Sequence, residues 1–136
     1  MDTFLEPTPE SGKDFYQNYH QKGKFVMLNL LRFKEIADYS NFKNLKPKKS
    51  ISGIEAYELY LKNINPILEN SGSKILYKGN SSKFVIGPKN EIWDLVLLVE
   101  HESVTKFMEF SNSKGFLKLS GHKTAALEDS RLLPTK

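Results

Sequence analysis

In two nine-residue stretches, Phe25-Val26-Met27-Leu28-Asn29-Leu30-Leu31-Arg32-Phe33 and Ile92-Trp93-Asp94-Leu95-Val96-Leu97-Leu98-Val99-Glu100, apolar side chains occupy both parities of an extended chain. A strand with one wet face alternates apolar and polar residues, whereas a strand covered on both faces reads as a near-continuous apolar run. The rest of the sequence offers about two long amphipathic helices, enough to cover one face of a small sheet. The other face needs a second cover, and a second copy of the chain is the simplest one.

A length of 136 residues suits one domain with a real hydrophobic core. The absence of cysteine excludes disulfides, thiolate zinc sites and cysteine nucleophiles. The formal charge of +4 is carried almost wholly by lysine, Arg32 and Arg131 being the only arginines. Nucleic-acid readers lean on arginine's planar fork as well, so the charge reads as solubility and disfavours nucleic acid as a partner. Residues 1–7 show no basic leader followed by an apolar run. The apolar stretches, broken by Asn29, Arg32 and Asp94, have the length of strands and not of membrane spans. A cytoplasmic protein without membrane contact is expected.

Residues 1–23 read as an N-terminal extension ahead of a domain at 24–136, with a short helix over 11–22 that sets Phe15 and Tyr19 one turn apart. Strand one is expected over 25–33. A long connection, 34–52, follows, and its lysines, Lys43 to Lys49, are suited at most to an acidic partner. Ser52-Gly53-Ile54-Glu55 fits a capping box and opens a helix with Tyr57, Tyr60, Leu61, Ile64, Ile67 and Leu68 on its apolar stripe. Pro66 should bend its last turn and Gly72 should stop it. Strand two is expected over 74–79 and strand three over 92–100, with turns around Phe84-Val85-Ile86 between them. Ser103 caps a second helix with Val104, Phe107, Met108 and Ser111 on one side. Gly115 and Gly121 bracket an irregular or short helical stretch, and the last strand should lie within 125–133, ending before Pro134. The order strand, helix, strand, strand, helix, strand is the α+β, ferredoxin-like βαββαβ arrangement with an antiparallel sheet.

Within this frame the chain resembles the domain of unknown function 1330 family of the dimeric α/β-barrel superfamily. The resemblance is carried by Met27-Leu28-Asn29-Leu30-Leu31-Arg32-Phe33, by Gly53-Ile54-Glu55-Ala56-Tyr57-Glu58-Leu59-Tyr60, by Trp93-Asp94, and by His122-Lys123-Thr124-Ala125-Ala126-Leu127-Glu128-Asp129-Ser130-Arg131-Leu132-Leu133. It implies a homodimer whose sheets pack face to face, helices outside, with a cavity between sheet and helices in each protomer. Relatives in the superfamily include cofactor-free monooxygenases, haem-degrading enzymes and isomerases of small rings. The chain departs from the family pattern at His101-Glu102-Ser103, at Phe116 and at Lys123, which keeps a charge where members carry arginine.

Five residues stand out as candidates for chemistry, each with a plainer alternative. Asn29, in mid-strand, is a polar anchor in a cavity or a partner for a loop or second protomer. Tyr57 is a phenol donor near a cavity mouth or simply core. Asp94 is a base or a strand-end hydrogen-bond acceptor. His122 is a proton shuttle oriented by Asp129 or Asp94, or a surface histidine. Ser111 lines the cavity or allows close packing. Arg32 lies on the parity opposite Asn29 and reads, like Asp129 and Arg131, as an ion-pairing residue at a dimer rim. With no His-x-His, no Glu-x-x-His and no cysteine, neither a metal site nor a cofactor is expected. The sequence thus points to a homodimer holding a small organic molecule, either a cofactor-free oxygenase or isomerase or a non-catalytic ligand-binding or interaction dimer.

Overall fold

The computed structural model describes residues 2–136. Four strands, β1 (Phe25–Phe33), β2 (Lys74–Asn80), β3 (Leu95–His101) and β4 (Leu127–Thr135), form one antiparallel sheet in the order β2-β3-β1-β4. The two apolar stretches are neighbours at its centre, Met27 opposite Val99 and Leu31 opposite Leu95. Central strands have no wet edge, which suits residues without a polar side. Around the sheet run α1 (Pro9–Tyr19), α2 (Gly53–Asn70), α3 (Val104–Ser111) and α4 (Lys114–Ala126), with a 3-10 turn at Lys43–Leu45. The chain is an α+β protein of ferredoxin-like fold with an added N-terminal helix. Among the described residues no helix is long and apolar enough to cross a membrane.

All four helices cover the same face of the sheet. Odd-numbered residues of β1 and β3 point to it, and Leu31, Leu95, Leu97 and Val99 pack there against Ala56, Tyr57, Tyr60, Ile64 and Leu68 of α2. Phe110 of α3 and Ala125 and Ala126 of α4 complete that core. A smaller cluster joins Phe25, Met27 and Val104 to Phe15 and Tyr19 of α1, and the Tyr19 hydroxyl donates to the Pro134 carbonyl at 3.2 Å. The even-numbered residues Val26, Leu28, Leu30, Val96 and Leu98 lie on the opposite face and are only partly buried. Leu133, opposite Leu28, joins them at 59% exposure. Both faces are apolar, and the chain covers only one.

Local chemistry explains the boundaries. At the start of α2 the Ser52 hydroxyl accepts from the Glu55 amide at 3.1 Å and the Glu55 carboxylate accepts from the Ser52 amide at 3.0 Å, the expected reciprocal cap. A Cβ at Gly53 would collide with the carbonyl oxygens of Lys34 and Ala126, so only glycine lets α2 begin against the ends of β1 and α4. Pro66 is accommodated inside α2, which runs on to Asn70.

The stretch between Gly115 and Gly121, expected to be irregular or a short helix, is part of the 13-residue α4, capped by Ser113. Gly121 sits inside it because a Cβ there would press on Leu45 and Phe42 at 2.6 and 2.7 Å. It marks close packing of the 34–52 connection, not a helix end. The last strand likewise runs through Pro134 to Thr135. An edge strand tolerates proline, since one side of its backbone has no ladder to serve. Strand β3 begins at Leu95 and not at 92, because Asp94 turns its amide to the Leu31 carbonyl and Trp93 turns its own to Ser82.

Candidate ligand cavity

Between the sheet and helices α2, α3 and α4 the packing leaves a cavity of about 100 Å³. One water needs about 10–15 Å³ measured this way, so the space takes roughly seven to ten groups of that size. Its walls are apolar, formed by Ile64, Leu68, Leu97, Val99 and Phe110 among others. Six polar side chains reach it: Asn29, Tyr57, Tyr60, His101, Ser111 and Lys123. Their directions follow from periodicity. Asn29 has the helix-facing parity of β1, and His101 continues the parity of Leu95, Leu97 and Val99. Tyr57, Tyr60 and Ile64 recur at helical spacing on α2.

The electrostatics of this cavity favour neutral donors around one cation. Burial raises the pKa of Tyr57 well above its ordinary value, with Tyr60 and Glu58 adding to the effect, and burial also raises that of Tyr60. Both phenols stay protonated, and neither makes a hydrogen bond among the described residues. Burial lowers the His101 pKa to about 4, so its ring is neutral at pH 7, with Nδ1 2.8 Å from the Ser73 hydroxyl. The Asn29 amide donates to the Met27 carbonyl at a long 3.3 Å, leaving its own carbonyl oxygen free. Burial also lowers the pKa of Lys123, opposed by the charge of Glu6. No carboxylate lies within 4 Å of the Lys123 ammonium among the described residues, and none lines the cavity.

Of the five residues singled out from the sequence, Asn29, Tyr57 and Ser111 lie on this cavity and Asp94 and His122 do not. One carboxylate oxygen of Asp94 accepts the Phe33 amide at 2.8 Å, which fixes the end of β1. His122 is buried, not a surface residue, with Nδ1 2.7 Å from the Tyr39 hydroxyl, and burial lowers its pKa. That contact pins the 34–52 connection to α4, helped by the Asp38 amide on the Ala125 carbonyl at 2.9 Å. Neither Asp94 nor Asp129 orients the ring. Adjacent helix residues stand about 100° apart, so once Lys123 faces the cavity His122 turns away from it. Lys123, noted in the sequence only as a charge kept where the family carries arginine, gains its place on the cavity because α4 runs longer than expected; Phe116 and Lys123, two turns apart, share its inner side. The sequence reading missed His101 because a lone histidine at a strand end carries no spacing signal of its own. The parity of β3 was the available clue.

The ion pairs expected at a dimer rim form within the chain. Asp129, fully buried, accepts from Arg131 at 2.6 Å and lies 3.9 Å from Arg32. Burial pushes its pKa up, but the Phe4 amide, Arg131 and the Ser130 amide together outweigh that and hold it below the ordinary value.

The crystal structure of RPA0582, a protein of unknown function from Rhodopseudomonas palustris, superposes on the chain with a TM-score of 0.86 at 32% identity, over 99% of this chain and 97% of that one. The chain belongs to the RPA0582 family. Methylated RPA0582 gives the same TM-score at 33% identity, over 100% and 96% of the two chains. A dimeric protein of unknown function and ferredoxin-like fold from Bacteroides fragilis is similar in fold alone, with a TM-score of 0.50 at 10% identity over 87% of this chain and 99% of that one. No protein-family model and no curated protein sequence matches the chain. In the RPA0582 family, therefore, the site has to be argued from its own geometry.

Proposed function

We propose that the protein is a homodimer that binds a small organic molecule between its sheet and its helices. The cavity carries this reading: Asn29, Tyr57, Tyr60, Ser111 and Lys123 all line one apolar-walled space of about 100 Å³. That is the general form of a ligand pocket. A few polar side chains on an apolar wall are what fixes the orientation of a guest. The dimer is supported by the uncovered apolar face around Leu28, Leu98 and Leu133, and the Bacteroides fragilis protein of this fold is dimeric. Placement of the RPA0582 family within the domain of unknown function 1330 group is supported by where the resembling segments meet. Gly53 opens one segment against the Ala126 carbonyl of another and the Lys34 carbonyl just past the end of a third.

Binding without chemistry is favoured over cofactor-free oxygenation or isomerisation. The base and shuttle expected at Asp94 and His122 lie outside the cavity, and His101, with a pKa of about 4, is a weak base. Light scattering on a sizing column tests the assembly: the wild-type chain should run as a dimer and Leu28→Glu as a folded monomer. A melting-shift screen of small ring compounds tests the cavity. A ligand at a hundred times its Kd should stabilise by about 2.7 kcal/mol, and Ser111→Phe, which fills the space, should abolish the shift. A monomeric wild-type chain with its open face exposed, or a shift that survives Ser111→Phe, overturns the corresponding half of the proposal.

A further inference from the structure

We infer that the ligand is a small organic acid, its carboxylate held by Lys123 and its apolar body lying against Ile64, Leu97, Val99 and Phe110; this rests on the cavity being a binding site at all. The observation behind it is a charge imbalance. The cavity contains one cation and no carboxylate. A protein removes a lysine from water at a penalty that a partner normally offsets, and here no acid stands within ion-pair distance among the described residues. The one acid that acts on Lys123 through space is Glu6, an exposed residue of the N-terminal segment that is not part of the cavity wall. The other polar groups fit the same class of guest. Two phenols that stay protonated, the Ser111 hydroxyl and the Asn29 amide can donate hydrogen bonds to an anion, while the apolar wall requires the remainder of the guest to be hydrocarbon. Size limits the class further. Roughly seven to ten water-sized groups correspond to a monocarboxylic acid with one ring or a short chain, not to a nucleotide, a haem or a coenzyme A ester.

The test uses the full-length protein and matched pairs: benzoate with benzamide, cyclohexanecarboxylate with its amide, and sorbate with sorbamide, each titrated by calorimetry and by shifts of the tyrosine side-chain NMR signals. At least one acid should bind ten-fold or more tightly than its amide. Lys123→Met should remove that preference, weakening the acid ten-fold or more and leaving the amide within two-fold. Lys123→Gln provides the same readout if the methionine variant does not fold, and Lys123→Arg should restore much of the acid's affinity. Glu6→Gln should tighten the acid, since it removes the one competing negative charge. An acid that binds Lys123→Met as well as wild type, or amides that bind as tightly as their acids, overturns the inference and leaves the cavity reading intact. Failure of all six compounds to bind or to shift any tyrosine overturns the cavity reading, and this inference with it.

Discussion

The two faces of the sheet have nearly the same apolar composition and opposite fates. On the helix side, Leu31, Leu97 and Val99 are buried by α2, α3 and α4. On the other side Val26, Leu28, Leu30, Val96 and Leu98 are left half-covered, and polar groups gather at the two ends, Glu100 with Lys24 at one and an arginine–aspartate cluster at the other. There Arg131 lies over the rings of Phe4 and Trp93, 4.9 Å from each centroid, and pairs with the buried Asp129. The helix side keeps its polar atoms facing a cavity; the open side has tied its charges to one another. The difference separates a face whose polar side chains border a cavity from one whose apolar side chains are left partly open.

Truncation should expose that contrast most strongly. Ile64→Ala, at a position with no exposure, should cost about 2–5 kcal/mol by urea denaturation. Leu133→Ala, tested in the monomeric Leu28→Glu background, should stay within about 0.5 kcal/mol. Equal costs would mean that the open face is as well packed within one chain as the other. Acid comes next. Unfolded histidine titrates near 6.5 and His101 in the fold at about 4, so the unfolded chain takes up the proton first. The stability contributed by neutral His101 is complete above pH 6.5 and is lost as pH falls toward 4, by about 2–3 kcal/mol. His101→Gln should flatten that part of the stability–pH curve, leaving the smaller slope of the same sign due to His122. An unchanged curve would place His101 in water and out of the cavity wall. The smallest effect belongs to Tyr39→Phe, which removes the 2.7 Å bond to His122 and should cost about 1 kcal/mol. It should leave both ligand binding and assembly unaltered, since neither face is involved.

Much of this architecture was legible in the residues, and the exceptions have physical causes. The double-sided apolar runs marked β1 and β3 as strands with two apolar faces, and the Ser52–Glu55 cap located the start of α2. Both are local signals that tertiary context reinforces. The 114–126 segment reads from sequence as irregular or only briefly helical because its two glycines and polar residues weaken any helical stripe; Gly121 is dictated by Phe42 and Leu45, contacts that no local pattern encodes. The length of that helix moves the site. With 122–126 taken as the approach to a strand, His122 looked like the residue at the cavity mouth, whereas one further step along a helix hands that place to Lys123. Asn29, Tyr57 and Ser111 were found because each interrupts or completes a regular period. Asp94 was singled out for its chemistry, which here serves the Phe33 amide.

The outer margin of β4 has a consequence for how copies of this chain avoid one another. Ser130 directs its amide to the Phe4 carbonyl, and Pro134 has no amide to offer. At the far rim, β2 carries Lys74, Lys78 and a register shift between Ile75 and Tyr77. Neither border is a straight template for a foreign strand. Lateral growth of the sheet into ribbons is therefore discouraged on both sides, while the uncovered apolar face carries no such guard along its middle.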